Sequence, residues 1–105
     1  MDIEDWRNEI DRIDENLVAL LNRRSICAIE IARIKREQGL PIYSAERESS
    51  VLNHVVDVNS GPLGVDAVRR LFERIIDEAR HLERTVIDPE TDGKPDVPIS
   101  EAKEQ

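Results

Sequence analysis

Residues 3–38 read IEDWRNEIDRIDENLVALLNRRSICAIEIARIKREQ, thirty-six positions without a glycine or a proline. Ile3, Trp6, Ile10, Ile13, Leu17 and Leu20 step by three and four residues, and Cys27, Ile31 and Ile34 carry the stripe onward. That spacing is a helical seam close to a heptad repeat. Gly39-Leu40-Pro41 supplies the stop, with glycine near the C′ position and proline just beyond it. At 1.5 Å per residue the helix would be about 54 Å long, longer than a compact domain of 105 residues is wide. It must protrude, and a protruding apolar seam needs another chain to cover it. The expected architecture is all-α, with this long first helix at the centre of an intertwined helical-bundle homodimer.

Two shorter segments follow. Ser44 is a good N-cap residue, and Glu46 and Glu48 behind it suit the positive end of a helix dipole. Val51, Leu52, Val55, Val56 and Val58 give this second helix its apolar side, and Asn59-Ser60-Gly61-Pro62 ends it. A third helix is expected over about Val65 to Val86, where Val68, Phe72, Ile75, Ala79, Leu82 and Val86 repeat the three-four step. Beyond Ile87 the chain turns acidic and carries prolines with few apolar residues. Residues 1–87 therefore read as one three-helix domain, and residues 88–105 as a disordered acidic tail.

Composition removes several function classes. The formal charge is −8 and aromatics are only 3% of the chain, so neither a phosphate-backbone footprint nor a base-stacking platform is present and nucleic acid is not expected as a partner. A lone cysteine, Cys27, excludes an internal disulfide and cannot anchor a zinc site by itself. Its apolar neighbours suggest a packed core thiol rather than a nucleophile. No run of the sequence approaches a membrane span, and the acidic first residues lack an apolar signal core. The expected compartment is cytoplasmic.

The informative feature is an interruption. Extending the seam four residues from Leu20 lands on Arg24, and a charge on a buried stripe costs free energy unless it is paired or binds a ligand. Lys35 lies eleven residues further, three turns on, with Ala28 and Ala32 between them on the same side. Two long cations flanking small residues describe the floor of a pocket for a compact anion. The plainer alternative is an arginine snorkelling to a carboxylate and a lysine on a solvated edge. Arg47-Glu48 adds a cation and an acid where the second helix enters. Glu83 stands four residues after Ala79, bordering the Ile76 and Ala79 stripe and near a helix end whose dipole does not favour it. Together these residues suggest a cation-lined polar site in a helical bundle, although Glu83 alone would read as a surface residue.

The run Arg7-x-Glu9-Ile10-Asp11-x-Ile13-Asp14-x-x-Leu17, then Leu20-Leu21-Asn22-Arg23-Arg24 and Glu30-Ile31-Ala32-x-Ile34-Lys35, closely resembles the all-helical AroQ class of chorismate mutases. The likeness continues through Gly39-Leu40-Pro41-Ile42-Tyr43, Arg47-Glu48, Asn59-Ser60-Gly61-Pro62-Leu63 and Arg70-Leu71-Phe72-x-x-Ile75-Ile76, covering about residues 3–86 in order. It implies the pericyclic rearrangement of chorismate to prephenate, in phenylalanine and tyrosine biosynthesis. That reaction needs no nucleophile, metal or other cofactor. It needs two carboxylates and a flexible enolpyruvyl arm held in the reactive conformer, with donors aimed at the ether oxygen.

By the same resemblance Arg24 grips one substrate carboxylate, and Arg7 reaches across the dimer for the other. Seventeen residues put these arginines about 100° out of register on one helix. Lys35 donates to the ether oxygen and a nearby carboxylate, Glu48 accepts from the ring hydroxyl, and Arg47 supports the site electrostatically. Three positions depart from the family pattern. Ser44 stands where relatives carry Asp, leaving a backbone contact. Ala79 replaces a Ser that can bond a substrate carboxylate. Glu83 replaces a Gln, and only its protonated form can donate a hydrogen bond to an oxygen becoming negative. Activity is therefore expected to peak at acidic pH. Isochorismate pyruvate-lyase on the same fold is the nearest alternative, and a non-catalytic helical dimer binding a partner is the more distant one.

Overall fold

The computed structural model describes residues 1–87, and the acidic tail expected from residue 88 lies outside the described residues. Three helices run in order, α1 (Ile3–Glu37), α2 (Ala45–Val58) and α3 (Val65–Ile87), with no strand among the described residues. Each boundary falls within a residue of the expectation from sequence.

Local chemistry sets those ends. Asp2 caps α1 by accepting from the Asp5 backbone N–H at 2.9 Å, and the Asp5 carboxylate accepts from the Asp2 N–H at 3.1 Å, a reciprocal capping box. At the other end Gly39 takes φ +72°, and its N–H bonds to the Arg36 carbonyl while Leu40 N–H bonds to that of Lys35. These two bonds form a Schellman motif, and its left-handed residue is where glycine is favoured. Ser44 caps α2 through its hydroxyl, which accepts from Arg47 N–H at 3.1 Å. The α2–α3 connection is closed by Asn59, whose side-chain carbonyl oxygen accepts from Gly61 N–H and whose amide donates to the Leu63 carbonyl.

α3 packs against both α1 and α2, which make no backbone approach to each other. The core is small: Ala32, Val68, Ile76 and Ile87 are buried. Ala32, at 1% exposure, is a small side chain on its face of α1 and lets α3 approach closely. The Arg36 guanidinium donates to the Ile87 carbonyl and ties the C-terminal ends of α1 and α3 together. The buried stripe of α3 runs through Ile76 and Ile87 rather than Ile75 and Val86, and Val86 is exposed, as is Val58 on α2. The cause is geometric: α3 serves two neighbours, so its apolar arc is wider than a single three-four seam.

The N-terminal half of α1 stands clear of the rest. Every residue from Asp11 to Leu20 is exposed, and Trp6, Ile10, Leu17 and Leu20 keep 57%, 54%, 50% and 53% of their surfaces open. The molecule extends 54 Å along its longest axis, close to the roughly 52 Å that 35 helical residues span. Its radius of gyration is 16.6 Å, against about 12–13 Å for a compact chain of this size. Cys27, expected in a packed core, is exposed because no element of its own chain covers that part of the seam. No described helix is long and apolar enough to cross a membrane.

Candidate active site

Where α1 and α3 pack and α2 enters, the helices enclose a cleft of about 220 Å³. Its floor is the C-terminal half of α1, where Arg24, Ala28, Ala32 and Lys35 share one face, with exposed Cys27 at its side. α3 contributes Ile76, Ala79, Arg80 and Glu83 to the opposite wall. Ser44, Arg47 and Glu48 close the end at the first turn of α2. Seven of the eight residues singled out from sequence thus meet in one place.

Arg7 is the eighth, and it is elsewhere. It lies on the protruding half of α1, its side chain 69% exposed, 3.7 Å from Glu4. Seventeen residues correspond to about 26 Å along α1, so Arg7 cannot reach the cleft of its own chain.

The side chains differ in how committed they are. Lys35 donates from Nζ to the Ile42 carbonyl at 3.2 Å, which fixes its head group and leaves two of its three donors free. Arg24 is half-buried and has no hydrogen-bond or ion-pair partner among the described residues. A half-buried guanidinium without a partner is a costly arrangement that a ligand carboxylate would relieve. Arg47 reaches Ser50 Oγ at 3.3 Å and remains exposed at the rim. Glu48 Oε2 is buried without a hydrogen bond, though Arg80 Nη1 stands 3.4 Å away, a distance at which charge attracts without hydrogen-bond geometry. The Ser44 hydroxyl is occupied as the α2 cap, so its side chain accepts nothing further on that side.

Glu83 is held above its ordinary pKa of 4.5. Burial is the main cause and the Glu48 carboxylate adds to it, while Lys35, Arg24 and Arg80 pull the other way. Desolvation outweighs three cations, so the neutral form of this carboxyl is favoured relative to a solvated glutamate.

Arg80 was not among the residues singled out from sequence. It sits four residues after buried Ile76 and three before Glu83, and its guanidinium lies 4.2 Å over the Tyr43 ring. The interruption test that exposed Arg24 would have found it if applied four residues on from Ile76.

Fold and site together define a class: an all-helical domain with a cationic cleft suited to a small carboxylate ligand. The chorismate mutase type II family model matches residues 6–84, and the chain belongs to that family. The bifunctional chorismate mutase/prephenate dehydratase of Pseudomonas aeruginosa is 40% identical over 83 residues, covering 74% of this chain and 23% of that protein. The protein of the same name from Neisseria gonorrhoeae is 40% identical over 78 residues, covering 74% and 21%. The chain thus spans about a quarter of the length of these bifunctional relatives. Among solved structures, form II of the Thermus thermophilus chorismate mutase aligns with a TM-score of 0.78 at 33% identity, over 80% of this chain and 96% of that one. The family resemblance read along residues 3–86 is therefore confirmed.

Proposed function

We propose that this chain is a chorismate mutase, rearranging chorismate to prephenate in the cleft and acting as an intertwined homodimer. The observation that carries the reading is the convergence of Arg24, Lys35, Glu48 and Glu83 on one small cavity whose cations outnumber its acids. Counting formal charges, Arg24, Lys35, Arg47 and Arg80 give +4 and Glu48 gives −1, a net +3 when Glu83 is neutral. A dianion suits that balance, even though the whole chain carries −8.

The reaction breaks one C–O bond and forms one C–C bond within a single molecule, and no proton enters or leaves. The cleft therefore has two tasks, to hold the compact conformer and to stabilise the ether oxygen as it gains charge. Unpartnered Arg24 takes one carboxylate as a bidentate pair, and Arg47 at the rim supports it electrostatically. Lys35, braced on Ile42, donates to the ether oxygen and a carboxylate. The Glu48 carboxylate accepts from the ring hydroxyl. Neutral Glu83 provides a second donor to the ether oxygen, a task its ionised form would oppose. Ser44 offers only backbone on this reading, and Ala79 has no hydroxyl to offer.

The second carboxylate needs Arg7 from a partner chain. The uncovered seam of α1 supports the same assembly. Burying the open half of Trp6, Ile10, Ile13, Leu17 and Leu20 is worth about 1 kcal/mol per side chain, or roughly 10 kcal/mol gross over two chains before association costs.

The test is the loss of chorismate absorbance with purified protein, against Arg24→Ala as control. Conversion to prephenate that disappears in the control supports the reading. Pyruvate release from isochorismate with chorismate left intact would transfer it to isochorismate pyruvate-lyase. Turnover of neither would leave a non-catalytic helical dimer.

A further inference from the structure

Arg80 occupies a position the proposed chemistry does not use. The hydroxyl donor that the family resemblance leads one to expect one residue earlier is missing, since position 79 is Ala, and the Arg80 guanidinium stands next to that position in the cleft lining. Unlike that of Arg24, this guanidinium has partners. It lies over Tyr43, 4.2 Å from the ring centroid, and Nη1 stands 3.4 Å from Glu48 Oε2. One side chain of α3 thereby bridges the α1–α2 connection, through Tyr43, to the first turn of α2, through Glu48. Both partners are restricted: the Arg80 and Glu48 side chains are 39% and 26% exposed.

We infer that Arg80 is a positioning residue: held over Tyr43, it attracts Glu48 Oε2 and so orients the carboxylate's other oxygen for a ligand hydroxyl. The inference rests on the proposed reaction for its consequence, but on the Tyr43–Arg80–Glu48 contact for its substance. A stacked guanidinium is well suited to this work, because the ring holds the plane while the edge meets a carboxylate. Without it, Glu48 would be a partly buried carboxylate lining the cavity, free to rotate toward Arg47 or Lys35. Arg80 touches no reacting atom on this account and acts only through Glu48.

A double-mutant cycle separates this role from direct ligand contact. Chorismate turnover would be measured for the unaltered chain, Arg80→Met, Glu48→Gln and the double variant, with thermal melts showing that each folds. Arg80→Met should lower kcat/KM about tenfold in the native background and by less than about twofold when Glu48 is already Gln. Arg80→Lys should recover only part of the loss, since it restores charge without the stacking plane. Equal losses in both backgrounds would show that Arg80 acts on the ligand itself and would overturn the inference, as would a native kcat/KM in Arg80→Met. A second readout needs no turnover. The Arg80 side-chain Nε–H resonance should show slowed guanidinium rotation in the unaltered chain and lose it in Tyr43→Leu and Glu48→Gln. If the unaltered chain fails to convert chorismate, the reaction falls, and this resonance alone decides whether Arg80 holds Glu48. Free rotation there overturns the inference.

Discussion

Two inactive variants should restore each other. Arg7 lies about 26 Å along α1 from Arg24, several times the reach of an arginine side chain, and the cleft of its own chain contains Arg24 but not Arg7. Any cleft using both arginines must draw them from different chains. Removing one partner of a buried, charge-assisted pair costs about 2–5 kcal/mol, so Arg7→Ala and Arg24→Ala should each lose roughly 30- to several-thousand-fold in kcat/KM. Equal amounts mixed and allowed to exchange give mixed dimers as about half the population. Each mixed dimer has one cleft with both native arginines and one with neither, so about a quarter of native turnover should return. The assay is chorismate absorbance after incubation at low concentration, with differently tagged chains confirming that mixed dimers form. Mixed dimers that stay at the level of the single variants would refute the shared site, and so would an Arg7→Ala chain with native turnover.

Glu83→Gln should remove a pH dependence of both activity and stability. The folded-state pKa of Glu83 is raised above 4.5, so between those values the native chain binds more protons than the unfolded one and this group's contribution falls as pH rises. Denaturant melts should show the Gln variant gaining on the parent above about pH 4.5 and matching it in acid, and its turnover should lose the parent's decline toward neutral pH; parallel curves would remove Glu83 from the proposed chemistry. Gly39→Ala tests the α1 stop: an added Cβ meets nothing within 4 Å, so the penalty is that of φ +72° alone. That is about 1 kcal/mol, seen as a melting point roughly 4–8 °C lower, and an unchanged melt would show that the Schellman turn is not held in solution. Leu17→Glu places a charge in the half-exposed seam of both chains. It should weaken the proposed dimer by about a thousandfold, taking some 2 kcal/mol per chain for lost burial and a desolvated carboxylate, as read by sedimentation equilibrium.

Much of this was legible from residue order because the signals were local. Periodicity placed α1, and Gly39 and Ser44 fixed its end and the start of α2 through bonds made within five residues. Arg24 announced itself because Leu20 and the alanines at 28 and 32 define the stripe it interrupts. Arg80 did not, because its significance depends on a partner 32 residues earlier, Glu48, and on which of two adjacent isoleucines α3 buries. Ile75 and Ile76 read alike in sequence, and only packing against two helices chooses Ile76. Cys27 failed for a related reason: apolar neighbours mark a face as buried without saying which chain buries it.

On the proposed reading, the ligand helps to make the donor that it needs. Glu83 is poised between burial, which favours its neutral form, and the fields of Lys35, Arg24 and Arg80, which oppose it. An Arg7 from the partner would add to that opposition. A bound dianion neutralises those cations and adds like charge near the carboxyl, so binding removes what had lowered the pKa and raises it further. By linkage, protonating Glu83 must then tighten binding by the same factor. A glutamine in this place would donate at any pH and carry no such coupling. The substitution therefore makes substrate affinity itself depend on pH: KM should rise as Glu83 ionises in the free enzyme, before any effect on the bound complex appears in kcat.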